Sequence, residues 1–118
     1  MVYGALTKGF TAIATELLVA AQRMGLYHAL MNELTGSQGE LLRRMERTVV
    51  SMPPRSRRWV GEMEEIAATF NAVGLTPKIY EGAADLYRFV GQTPLADETP
   101  ETMNRDRTLA QAIELLAR

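Results

Sequence analysis

The stretch RRWVGEMEEIAATF, residues 57–70, decides the fold class. Trp59, Met63, Ile66, Phe70 and, just beyond, Val73 recur at alternating steps of four and three, which places them on one side of an α-helix. Val60 and Ala67 widen that side. The opposite side carries Glu62, Glu64 and Glu65. The pattern predicts a central core helix holding the only tryptophan. Its carboxylates read either as a solvated acidic face or as groups bordering a binding cleft, and periodicity does not separate the two.

Working outward, residues 2–24 predict one long helix. Leu6, Phe10, Ile13, Leu17 and Met24 fall near one seam, and Ala5, Ala12, Val19 and Ala21 occupy neighbouring faces. Apolar residues nearly all round predict burial on most sides, in a core or between subunits. Gly4 and Gly9 permit close approach of another backbone or a ligand. Lys8 interrupts the apolar pattern, as a snorkelling surface lysine or as an ammonium beside a cleft. Gly25 reads as the C-cap.

A short helix over 26–34 closes at Gly36. Ser37 and Glu40 have capping-box spacing, so a third helix should start near Gln38 and bury Leu41, Leu42, Met45 and Val49. Arg43, Arg44, Arg47, Arg55, Arg57 and Arg58 form a basic region around Met52-Pro53-Pro54. They suit an anion clamp, or a solvated face paired with Glu46, Glu62 and Glu65. After Gly74, Thr76-Pro77 starts a helix to Gly91 that should bury Ile79, Tyr80, Ala83, Ala84, Tyr87 and Val90. Thr99-Pro100-Glu101 repeats the signal and predicts a last helix running to the terminus, with Met103, Ala110, Ile113 and Leu116 or Ala117 inward. No strand-like alternation appears. The expectation is an all-α fold of about six helices, residues 1–118 forming one domain.

With 118 residues, 47% hydrophobic, the chain has enough apolar surface for one core and is short for two. A net charge of −1 gives no global field to attract nucleic acid or an anionic membrane. No uninterrupted apolar run of some 18 residues argues for a membrane span. With no cysteine and a single histidine, His28, thiolate chemistry, histidine metal clusters and most histidine-based triads are excluded. The lack of cysteine fits a cytoplasmic protein.

Several segments carry a resemblance. They are Met1-Val2-Tyr3-Gly4-Ala5-Leu6-Thr7-Lys8-Gly9, Met52-Pro53-Pro54, residues 58–67, Gly74-Leu75-Thr76-Pro77, and Ala83-Ala84-Asp85-Leu86-Tyr87. Together they cover roughly residues 1–95. The sequence resembles the helical C-terminal domain of the 6-phosphogluconate dehydrogenase and β-hydroxyacid dehydrogenase superfamily, in the branch whose function is unknown. The resemblance implies a domain that makes a homodimer through its N-terminal helix and supplies one wall of a substrate cleft. A separate Rossmann domain would bind NAD or NADP.

Aligned on that pattern, the family's catalytic lysine falls just before Met1 and its asparagine at Gly4. No Gly-x-Gly-x-x-Gly turn follows a strand. The expectation is therefore no catalytic residue and no cofactor in this chain, which would be inactive alone. Tyr3, Thr7 and Lys8 would face the active site. Glu62 and Glu65 stand where relatives place a Lys-Asp pair, bordering the cleft or holding Lys8, with a small anionic substrate as the ligand. The competing expectation is a stand-alone homodimeric helical module binding a small anion.

Overall fold

A computed structural model describes residues 2–118 and shows six α-helices and, among these residues, no strand. Met1, the first residue of the family-like N-terminal motif, lies outside the described residues. The helices are α1 (Val2–Arg23), α2 (Tyr27–Ser37), α3 (Gly39–Ser51), α4 (Ser56–Ala72), α5 (Lys78–Gly91) and α6 (Leu109–Leu116). Short 3-10 turns at Pro53–Arg55 and Pro94–Asp97 start with a proline, whose fixed φ suits a helical first turn.

The hub is α1, which touches every other α-helix, and not the 57–70 stretch. Its inner face is made of small residues, with Ala5, Gly9, Ala12, Ala14 and Thr15 buried beside Leu18 and Val19. Small side chains let five helices approach one. Thr15 and Thr11 are tolerated inside because each hydroxyl donates to the carbonyl four residues back. The seam Leu6, Ile13, Leu17 and Met24 faces outward, so of the two expected burials the one in the chain's own core does not occur, and Leu6, Ile13 and Met24 are about two-thirds exposed. By length and composition α1 could cross a bilayer, but half of it is packed inside the fold, as a core helix is.

α4 and α5 form an antiparallel hairpin. Gly74 at its turn has φ 87° and Gly25 after α1 has φ 73°, left-handed conformations that end both helices as expected. The Leu75 N–H returns to the Phe70 carbonyl at 3.0 Å, although its side chain stays in water. Met63, Ile66 and Ala67 are buried, Trp59 and Phe70 only partly, and Val73 lies past the helix and is exposed. On α5, Ala83, Ala84, Tyr87 and Val90 are inside as predicted and Leu86 joins them. Ile79 does not: it is exposed.

The third helix starts beside Gln38 as expected but without its predicted cap, and the start predicted at Thr99 fails, both for local reasons. α2 runs through Gly36, and the Ser37 hydroxyl donates back to the Glu33 carbonyl (2.8 Å) rather than capping α3. Leu41 is exposed there, while Met45 and Val49 are buried. Thr99 and Thr102 do exchange side-chain-to-backbone bonds, but only one turn follows. Asn104 then accepts from the Asp106 N–H (3.0 Å), an Asx turn that diverts the chain. The last helix starts only at the capping box of Thr108 and Gln111, with Leu109, Ala112, Ile113 and Leu116 inward and Ala110 exposed.

The diverted segment is pinned by a bidentate pair, Arg107 Nη1 and Nη2 to the two Glu98 oxygens at 2.7 and 2.9 Å. The hydrogen bond from Arg107 holds the Glu98 carboxyl below its ordinary range. A depressed folded-state value stabilises the fold fully above the unfolded-state value and ceases to as pH falls through the folded one. Urea unfolding at pH 7 and pH 3 is therefore expected to show the native chain losing more stability on acidification than Glu98→Gln. Equal losses would count against the pin.

Candidate functional site

Lys8, Trp59, Glu62 and Tyr87 meet where α1, α4 and α5 converge. Trp59 and Glu62 are three apart on α4, so their side chains are neighbours rather than occupants of opposite faces. The Lys8 ammonium ion-pairs with the Glu62 carboxylate and lies 5.2 Å from the centre of the Trp59 ring. The Tyr87 hydroxyl, from α5, donates to the Lys8 carbonyl, and its ring meets Trp59 edge-on at 5.4 Å and 81°. Tyr87 is fully buried, and that burial, helped by the nearby Glu62 charge, raises its pKa far above the ordinary value. It remains a neutral donor at any ordinary pH.

Lys8 is one-quarter exposed and Glu62 about half. An exposed pair of this kind is worth roughly 0–1 kcal/mol. The aromatic face beneath the ammonium adds a similar modest term and fixes its position.

The five sequence candidates do not converge. Lys8 and Glu62 come together, while Tyr3 is three-quarters exposed and Glu65 is exposed. Thr7 is partly exposed and its hydroxyl donates to the Tyr3 carbonyl at 3.4 Å. The reason is helical phase: Tyr3 is seven residues before Phe10 and joins the outward seam, on the far side of α1 from Lys8. Trp59 and Tyr87 are the members that composition missed. The three-residue step from Trp59 to Glu62 was the available signal.

A matching clasp lies two turns earlier on α5, where the Tyr80 hydroxyl donates to the Ala5 carbonyl (3.1 Å) and Phe70 meets the ring edge-on at 5.2 Å. The basic region makes no comparable site. Arg57 bonds Asp97 (2.7 Å) and the Gly91 carbonyl (2.9 Å), Arg44 lies over Phe10, and Arg47 and Arg55 donate to backbone carbonyls. None of these arginines pairs with Glu46, Glu62 or Glu65. Outside, an apolar groove of about 370 Å³ runs between α1 and α5, walled by Leu6, Phe10, Ile13, Ile79 and Leu86.

A family model described as a domain of unknown function (DUF1932) matches residues 21–90, more than half of the chain. The match takes in Trp59, Glu62 and Tyr87 and stops short of Lys8. No curated protein and no solved structure matches.

Proposed function

Because this chain belongs to the DUF1932 family, the C-terminal helical domain of the β-hydroxyacid dehydrogenase superfamily, we propose that it is the dimerising and substrate-lining domain of an NAD(P)-dependent β-hydroxyacid dehydrogenase-like oxidoreductase. The observation that carries this reading is the division of labour on α1. One side presents Lys8 to Glu62 and Trp59, and the other presents an uncovered apolar seam. Lys8 would orient the charged group of a hydroxy acid or sugar phosphate, exchanging Glu62 for the ligand. The seam would bury itself against a second copy.

A dinucleotide needs a glycine-rich turn between a strand and a helix, with backbone N–H groups around the pyrophosphate. The described residues are helical and offer no such cradle, so they do not fit the cofactor. The nicotinamide chemistry belongs to a separate nucleotide-binding domain, and no hydride step is assigned to these residues.

Sedimentation velocity at micromolar concentration tests the assembly half, with a dimer expected. A folded monomer under those conditions would contradict it. Thermal-shift titration with β-hydroxy acids and sugar phosphates tests the cleft half. A stabilisation lost in Lys8→Met is expected, and the same shift in both proteins would remove Lys8 from the site.

A further inference from the structure

Glu62 stands between two cations and holds only one of them. Lys8 reaches it from α1. Arg58 lies four residues earlier on α4, one turn back on the same stripe, where side chains at this spacing are neighbours. Side chains on a helix also lean towards its N-terminus, which tilts Glu62 over the turn that carries Arg58. Arg58 is nevertheless exposed and, among the described residues, makes no hydrogen bond, ion pair or ring contact.

A free guanidinium is poorly placed there. The first turn of α4 contains two arginines and no acidic residue, and the positive end of a helix disfavours a cation. The neighbouring Arg57 is relieved by the Gly91 carbonyl and the Asp97 carboxylate. Arg58 has no such relief, and Glu62 is the only carboxylate within one turn of it on α4.

We propose that Arg58 is a positioning residue, the alternative partner of Glu62, and that this carboxylate has two settings. In one it rests on Lys8, as in this structure. In the other it swings back one turn onto Arg58 and leaves the Lys8 ammonium, still over Trp59, to the anionic group of a ligand. The inference rests on the reading of Lys8 as the ligand's contact and adds how Glu62 gives way. The surroundings set the bias between the settings. Lys8 is only one-quarter exposed and is fixed over the ring, whereas Arg58 is exposed. Cation before carboxylate is also the weaker order for a pair four apart on a helix. Lys8 therefore holds Glu62 until an anion competes. The swing then leaves neither the ammonium nor the carboxylate without a partner, and without Arg58 the displaced carboxylate returns as a competitor.

The exchange can be read without a ligand, because Lys8→Met frees Glu62. In that variant the Arg58 Nε–H resonance is expected to shift and its exchange with water to slow. Adding Glu62→Gln to Lys8→Met should restore both to their native values. A resonance that Lys8→Met does not move, or that Glu62→Gln does not restore, overturns the proposal. Inorganic phosphate, titrated against Trp59 fluorescence, tests the gating. Arg58→Gln should weaken phosphate binding about twofold in the native background and leave it unchanged in the Glu62→Gln background. Equal weakening in both would make Arg58 a direct contact of the anion and overturn its role as partner of Glu62. Phosphate that fails to titrate the native chain, or titrates Lys8→Met equally well, removes the ligand reading of Lys8 and the gating with it. The resonance measurement distinguishes that failure from a Glu62 that never reaches Arg58.

Discussion

Tyr87→Ala is expected to lower the stability of this domain by about 3–5 kcal/mol, the usual cost of truncating a fully buried aromatic. A domain of this size has only about 5–15 kcal/mol to lose, so partial unfolding at ordinary temperature is a realistic outcome. Tyr87→Phe separates the ring from the hydroxyl. It keeps the packing and the edge contact with Trp59 and deletes only the bond to the Lys8 carbonyl. That carbonyl sits within α1 and keeps its helical partner, so the loss should be about 1 kcal/mol. Urea unfolding followed by the fluorescence of Trp59, the only tryptophan, measures both. Its emission in the folded state also reports whether Lys8 still lies over the ring. A Tyr87→Phe loss as large as that of Tyr87→Ala would mean that the hydroxyl, not the packing, holds α1 to α5.

The fold was legible where one residue acts alone on the backbone, and less so where two signals compete. Gly25 and Gly74 end their helices because a left-handed residue there has few alternatives to glycine. The period of residues 57–70 identified α4 for the same reason: every turn of it has an apolar residue on one side. The start at Thr99 failed because the threonine pair closes on itself within one turn and the Asx turn at Asn104 then diverts the chain. Which face of α1 is inward was hidden by composition. Its outer residues are larger and more apolar than its inner ones, and only the need of neighbouring helices for close approach selects the alanine side. Once α1 is turned that way, Tyr3 leaves the candidate site and Lys8 stays. Trp59 enters it as a platform for the ammonium, a role that its place on an apolar stripe concealed.

Gly9 shows how close that approach is. A Cβ added there would lie 3.1 Å from Cε1 and 3.3 Å from the hydroxyl oxygen of Tyr80, whereas one added at Gly4 meets nothing within 4 Å. Both glycines sit within α1, so replacement by alanine gains about 1 kcal/mol of helix propensity at either site. At Gly4 nothing opposes that gain, and Gly4→Ala is expected to stabilise by roughly 0.5–1 kcal/mol. At Gly9 the methyl must displace the Tyr80 ring, which is tethered by its bond to the Ala5 carbonyl and by its edge contact with Phe70. Overpacking costs about 1–3 kcal/mol and the lost hydrogen bond about 1 more, so the sign reverses and Gly9→Ala should destabilise by about 1–3 kcal/mol. Gly9→Leu cannot be absorbed by a small rotation of the ring and should cost about 3 kcal/mol. Denaturant midpoints of the three variants against the native chain decide the matter. Equal gains from Gly4→Ala and Gly9→Ala would mean that Tyr80 swings aside freely and that its clasp on α1 contributes little.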